Sequence, residues 1–174
     1  GEAECCYGLS DPVQTRLIED AYYQSIKSSG LVTGLLDYNN NTAANDATSS
    51  RPKFAYTAMH GVGTRFAKQS FETFNLPPFH AVPSQENPDA SFPTVPFPNP
   101  EEKGALDEAI LFAIENECDI ILANDPDADR LGVAEYDRRS KKWVVFTGDQ
   151  IATLLGYWLW ETMGKNSDKV SLLK

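Results

Sequence analysis

Ile120-Ile121-Leu122-Ala123 runs without polar interruption into Asn124-Asp125-Pro126-Asp127-Ala128-Asp129-Arg130. A short, wholly apolar strand is the kind that a parallel sheet buries on both faces. Such a sheet takes helices on both sides, so the segment restricts the chain to an α/β architecture. It also sets where the acidic residues go, because ligands of these sheets bind beyond the carboxyl ends of the strands.

The surrounding elements follow the same scheme. Asp11-Pro12 reads as an N-cap followed by proline at the first helical position, and Gly30 as the stop of a helix over about 12–29. The run Asn39–Ser50 is polar and of low complexity and reads as a mobile loop. Phe54–Met59 reads as a strand, His60-Gly61-Val62-Gly63 as a turn, and Phe66, Ala67, Ser70, Phe71 and Phe74 as one face of a helix. A short strand at 79–82 is followed by a proline-punctuated linker, 83–100. Asn99-Pro100-Glu101-Glu102 carries a capping-box signature, which predicts a helix from there to about Asn116. After the aspartates, Leu131–Tyr136 and Trp143–Phe146 predict a hairpin, and Thr147-Gly148-Asp149 opens a helix ended by Gly164. Ile151, Leu154, Leu155, Trp158 and Leu159 share one side of that helix, and 170–173 reads as a further strand. The expected fold is a three-layer α/β domain with a mixed, mostly parallel sheet between helices.

The chain has 174 residues and a formal net charge of −10. Nucleic-acid binding favours a clustered basic face, so nucleic acid is not an expected partner. No apolar run is long enough to span a bilayer, and the first residues lack a signal-peptide pattern. Three cysteines do not make a disulfide framework, which points to reduced thiols and the cytoplasm. Only two histidines are present, which argues against a zinc site.

Asp125, Asp127 and Asp129 alternate, and in an extended loop that spacing can aim them at a common point. Hard cations such as Mg²⁺ take oxygen ligands of this type. Arg130 follows directly, and a guanidinium beside a metal suits phosphate recognition. The plain alternative is a solvated turn, since Asp is a common turn residue. An EF-hand loop needs Gly and Glu where Arg130 and Tyr136 stand, so that reading fails. A phosphohydrolase with Asp125 as nucleophile is opposed by Asp129, four positions on, where Thr or Val is expected.

Taken together, the motifs resemble the α-D-phosphohexomutases, the phosphoglucomutases, phosphomannomutases and their phosphopentomutase relatives. His60-Gly61-Val62-Gly63, Phe92-Pro93-Thr94-Val95, Pro98-Asn99-Pro100-Glu101-Glu102, Ala123–Arg130 and Thr147-Gly148-Asp149 carry the resemblance. It is greatest to the branch that contains phosphopentomutase and its related phosphoglucomutase. The resemblance implies that Asp125, Asp127 and Asp129 ligate Mg²⁺, and that Asp129 and Arg130 contact the phosphosugar. It implies a reaction that moves phosphate between C1 and the C6 or C5 hydroxyl of a sugar. A phosphoserine and a sugar bisphosphate would take part, with glucose 1,6-bisphosphate as activator. It also implies a division of the chain into a connecting segment 1–52, the family's second domain 53–148, and the start of a third domain 149–174.

The family's nucleophilic serine lies in a Thr-Ala-Ser-His pattern, whereas this chain has Thr57-Ala58-Met59-His60. Met59 carries no hydroxyl, so the segment reads as a core strand of the second domain, with His60 structural or cleft-lining. The sugar loop Gly-Glu-x-Ser-Gly and an Arg/Ser/Gly/Thr-rich phosphate loop do not occur in these residues. The expected partners are therefore a phosphosugar and the first, third and fourth domains of a longer chain. A stand-alone acidic domain that binds a divalent cation or a partner without catalysis is the alternative. It draws on Ile151, Leu155, Trp158 and Trp160 as apolar surface. The resemblance predicts that residues 1–174 alone show no mutase turnover. Phosphate transfer by the purified chain, free of contaminating enzyme, would contradict it.

Overall fold

The structure is a computed structural model and describes residues 12–28 and 52–163. The asparagine-rich run, Cys5, Cys6, Gly164 and the expected strand at 170–173 lie outside the described residues. The order is α1 (Pro12–Ser28), β1 (Phe54–Thr57), α2 (Gly63–Thr73), β2 (His80–Ala81), α3 (Asp107–Glu115), β3 (Ile120–Asn124), β4 (Leu131–Asp137), β5 (Lys142–Val145) and α4 (Gly148–Met163). The described strands form a single sheet in the order β2-β1-β3-β4-β5.

β1 pairs in parallel with β2 and with β3, while β3–β4 and β4–β5 are antiparallel. The sheet is mixed, as expected, but its pairings divide evenly and are not mostly parallel. The connections explain the split. The helical crossovers after β1 and before β3 deliver parallel neighbours, and the short links on either side of β4 can only fold the chain back.

Alternate residues of β1 define the layers. Ala55 lies level with Ile121 of β3, which lies level with Ala134 of β4. All three are fully buried and share a cluster with Ala109 and Ala113 of α3, Leu106, Val82 and Met59. Phe54 and Tyr56 face the other way. Phe54 meets Phe71 of α2 edge-on at 5.6 Å between ring centroids, and Phe79 joins both Tyr56 and Phe71. The sheet thus carries α3 on one face and α2 on the other. α1 adds to the α2 side: Tyr23 is buried and its hydroxyl donates to the Phe66 carbonyl, and Glu19 pairs with Arg65.

The predicted helix start at Asn99 is not where α3 begins. The Asn99 side chain accepts a hydrogen bond from the Glu101 amide, as a cap does. The chain then stays in turns, with Gly104 at φ +84°, and regular helix begins at Asp107. Pro100 packs instead on Gly132 of β4, where a Cβ would come within 2.5 Å of the proline. A Cβ on Gly148, which opens α4, would come 2.6 Å from the Glu101 carboxylate.

The apolar side of α4 divides. Ile151, Trp158 and Leu159 are half-buried, while Leu154, Leu155 and Trp160 are exposed. Cys118 is a free thiol, buried under α3. At the opposite edge from the aspartates, burial pushes the Asp119 carboxyl upward. Hydrogen bonds from the Lys53 amide and from Arg138 outweigh that and hold it below the usual carboxylate range. Among the described residues, no helix is long and apolar enough to cross a membrane. Ile121 is completely buried where the layers meet. Ile121→Ala is expected to lower unfolding free energy by about 2–5 kcal/mol, read by urea denaturation.

Candidate metal and phosphate site

β1 and β3 run parallel with Thr57 level with Ala123, so the chain leaves both strands at one edge of the sheet. The turn Met59–Val62 and the loop Asp125–Arg130 therefore lie side by side. The loop joins β3 to β4, and Asn124 pairs with Leu131 across its base. The Asn124 side chain closes that base further. Its Oδ1 accepts from the Tyr56 hydroxyl at 2.9 Å and its Nδ2 donates to the Arg130 carbonyl at 2.6 Å. Burial pushes the Tyr56 hydroxyl up to about 12, so it keeps its proton for that bond at neutral pH.

The loop is not extended. The Ala128 amide donates to the Asp125 carbonyl at 2.9 Å, so Asp125–Ala128 is a tight turn with Pro126 at its second position, where a fixed φ suits it. Ala128 then takes φ +61°, a left-handed value that costs a non-glycine residue about 1–3 kcal/mol. Together they reverse the chain between Asp125 and Asp129. Convergence thus comes from a turn and not from the alternation of an extended strand. One carboxylate oxygen from each of Asp125, Asp127 and Asp129 lies within 4.8 Å of the others.

The three aspartates differ in setting. Asp125 is 7 % exposed, whereas Asp127 and Asp129 are in solvent. Oδ1 of Asp125 accepts from the Arg130 amide at 3.0 Å. The Arg130 Nε stands 3.7 Å from a carboxylate oxygen of Asp125 and 3.7 Å from one of Asp129. The four predicted site residues are brought together.

The donor set is all carboxylate, which suits a hard divalent cation. An octahedral shell at about 2.1 Å places neighbouring oxygens about 3 Å apart and opposite ones about 4 Å apart. The observed 4.8 Å spread is slightly wider than that range, and Asp127 and Asp129, being exposed, have room to rotate toward it. Each ionised carboxylate offers several lone pairs, so Asp125 can serve Arg130 and a cation together.

The turn after β1 is packed hard against this loop. The Val62 amide donates to the Pro126 carbonyl at 2.9 Å. A Cβ on Gly61 would fall 2.2 Å from the Pro126 Cα, so only glycine permits this approach. Met59 and His60 both take left-handed values, φ +47° and +62°. His60 is buried, and its Nε2 lies 2.8 Å from the Thr94 hydroxyl. Tyr56, Asn124, Gln85 and Thr94 were not singled out as individual site residues in the sequence. The Gly61-Val62-Gly63 spacing was a usable sign of close backbone approach. Gln85, fully buried in a proline-rich segment, carried no such sign. Gly61→Ala is expected to displace Pro126 and destabilise the fold by about 1–3 kcal/mol in urea denaturation, as overpacking does.

Residues 31–138 match the family pattern of phosphoglucomutase/phosphomannomutase, alpha/beta/alpha domain II. The chain is 47 % identical over 125 residues to a phosphopentomutase of Homo sapiens, covering 71 % of this chain and 20 % of that protein. It is 44 % identical over 124 residues to a phosphoribomutase of Saccharomyces cerevisiae, covering 69 % and 20 %. A glucose 1,6-bisphosphate synthase of Mus musculus is 43 % identical over 115 residues, covering 66 % and 18 %. The chain thus spans about a fifth of the length of these curated relatives.

Proposed function

This chain belongs to the phosphoglucomutase/phosphomannomutase family, and on that premise we propose that its aspartate loop is the magnesium site of a phosphosugar mutase. The observation that carries the reading is the gathering of the Asp125, Asp127 and Asp129 carboxylates within 4.8 Å, with Arg130 beside them. Bound there, Mg²⁺ would offset negative charge on a phosphoryl group in transfer. Asp125 supplies the buried, pre-set ligand, because its position is fixed by the Arg130 amide. Asp127 and Asp129 swing in from solvent to complete the protein's share.

Arg130 has a second task. Its guanidinium already borders Asp125 and Asp129, and its fork can reach a phosphate oxygen placed over the loop. Asp129 lies close enough to contact the same ligand. Three carboxylates without a cation would repel a phosphosugar, so charge reversal at the loop is what admits the substrate.

The reaction we assign to the whole protein is interconversion of a sugar 1-phosphate with its 6- or 5-phosphate, through a phosphoserine and a sugar bisphosphate. The phosphoserine and the sugar-reading loops would come from other domains of a longer chain. Support for a bisphosphate comes from the similarity to a glucose 1,6-bisphosphate synthase, and for a pentose phosphate from the similarity to phosphopentomutase. The proposed compartment is the cytoplasm.

The test is an assay of the full-length protein on glucose 1-phosphate and ribose 1-phosphate, with Mg²⁺ and glucose 1,6-bisphosphate present. Asp127→Ala is expected to lower kcat by about 100-fold or more, since several kcal/mol of charge stabilisation are at stake. Equal turnover by the variant and the wild type would remove the loop from the chemistry.

A further inference from the structure

A polar network, buried at Thr57, Met59, His60 and Gln85 and reaching the surface at Thr94, adjoins the turn that packs on the aspartate loop and takes no part in the chemistry assigned above. The Met59 amide donates to Thr57 Oγ1 at 2.9 Å, and the Thr57 hydroxyl donates to Gln85 Oε1 at 2.5 Å. Gln85 Nε2 donates to Thr94 Oγ1 at 2.9 Å, and Thr94 Oγ1 lies 2.8 Å from His60 Nε2. The Thr94 amide also points to His60 Nε2, at 3.4 Å. Thr94 thus meets that ring nitrogen through both its hydroxyl and its amide. The bonds form one continuous chain from Met59 to His60. The His60 backbone is held as well, its amide by the Gln85 carbonyl at 3.1 Å and its carbonyl by the Asp89 amide at 3.0 Å.

We propose that this network is a positioning device for the aspartate loop, with Thr94 and His60 acting on Asp125–Arg130 through Gly61 and Pro126. The proposal rests on the metal reading of the loop. Two successive left-handed residues, neither of them glycine, persist only where their surroundings over-determine them. Here the network does so: its Met59–Thr57 and Thr57–Gln85 bonds are buried and its bonds to Thr94 part-buried, so a missing partner is costly. The turn it holds transmits its position directly. Gly61 sits against the Pro126 backbone with no room for a methyl group, and Val62 hydrogen-bonds the Pro126 carbonyl. Pro126 separates Asp125 from Asp127, so a shift of the turn moves the two carboxylates relative to each other. A cation with strict octahedral demands registers such a shift as lost affinity.

The variants are Thr94→Val, which keeps the shape and removes the hydroxyl, and Thr94→Ser, which restores it. Mn²⁺ is the probe, followed by electron paramagnetic resonance on the 174-residue chain, with Asp127→Ala as the control for the metal reading. Asp127→Ala is expected to weaken Mn²⁺ binding tenfold or more, and Thr94→Val about three- to tenfold, below the roughly 10–100-fold losses at direct outer partners of metal ligands because it acts through intervening residues. Thr94→Ser is expected to return within about twofold of wild type. A folded Thr94→Val with wild-type Mn²⁺ affinity, beside lost affinity in Asp127→Ala, overturns the positioning role and leaves the metal reading standing. Unchanged affinity in Asp127→Ala overturns the metal reading, and the positioning role with it. If Thr94→Val does not fold, amide exchange in the wild type decides. Coupling is reciprocal, so saturating Mg²⁺ is expected to slow exchange at Met59 and Val62 by about threefold or more. Exchange that Mg²⁺ leaves unchanged at both amides overturns the proposal.

Discussion

The Gly61 backbone lies directly on Pro126, and the geometry of the site depends on that contact. It exists because β1 and β3 are parallel neighbours, so their carboxyl ends open at the same edge of the sheet. One turn carries no acidic group, and the other carries three within six residues. Pressing the first against the second gives the acidic loop a packed floor. The Val62–Pro126 hydrogen bond and the Tyr56–Asn124–Arg130 bridge tie the loop at its start and its end. Between those ties only the side chains of Asp127 and Asp129 remain free to adjust.

The electrostatics of the loop follow from that restraint. Three carboxylates held within 4.8 Å repel one another, and the fold accepts this by treating them unequally. Asp125 is buried but compensated by the Arg130 amide and, at 3.7 Å, its guanidinium. Asp127 and Asp129 stay in water, where charge is cheap to maintain. A partly neutralised cluster with exposed, mobile members can admit a cation without rebuilding its surroundings. The chain as a whole carries a formal net charge of −10, which adds to the field that a cation at the loop would offset.

Individual elements show where pattern reading succeeded and where it stopped. The apolar run before the aspartates specified a buried strand, and β3 covers Ile120–Asn124. Its periodicity could not say that the neighbour on one side is parallel and on the other antiparallel, because both bury a strand equally well. Asn99-Pro100-Glu101-Glu102 carries real capping chemistry, visible in the Asn99–Glu101 bond, yet no helix follows until Asp107. Gly104 interrupts it, and Pro100 is claimed by the surface of Gly132. Along α4, periodicity marked one apolar side, but only part of it meets β4 and the rest faces solvent. Helical spacing records which residues share a side and is silent on how much of that side is covered.

Local chemistry in the sequence was enough to specify the α/β class, the strand that precedes the acidic loop, the four residues Asp125, Asp127, Asp129 and Arg130, and the family to which they belong. These are properties of spacing and residue type, which act over a few neighbouring positions. Tertiary structure alone decided that the loop rests on Gly61 and that His60 is reached from Gln85 and Thr94. It also decided that the sheet's pairings divide evenly. The side-chain bonds Gln85–Thr94 and Tyr56–Asn124, which support the site, join residues 9 and 68 positions apart, and no local pattern encodes which distant strands become neighbours. Packing of Ala55, Ile121 and Ala134 against α3 makes that choice, and the site inherits its shape from it.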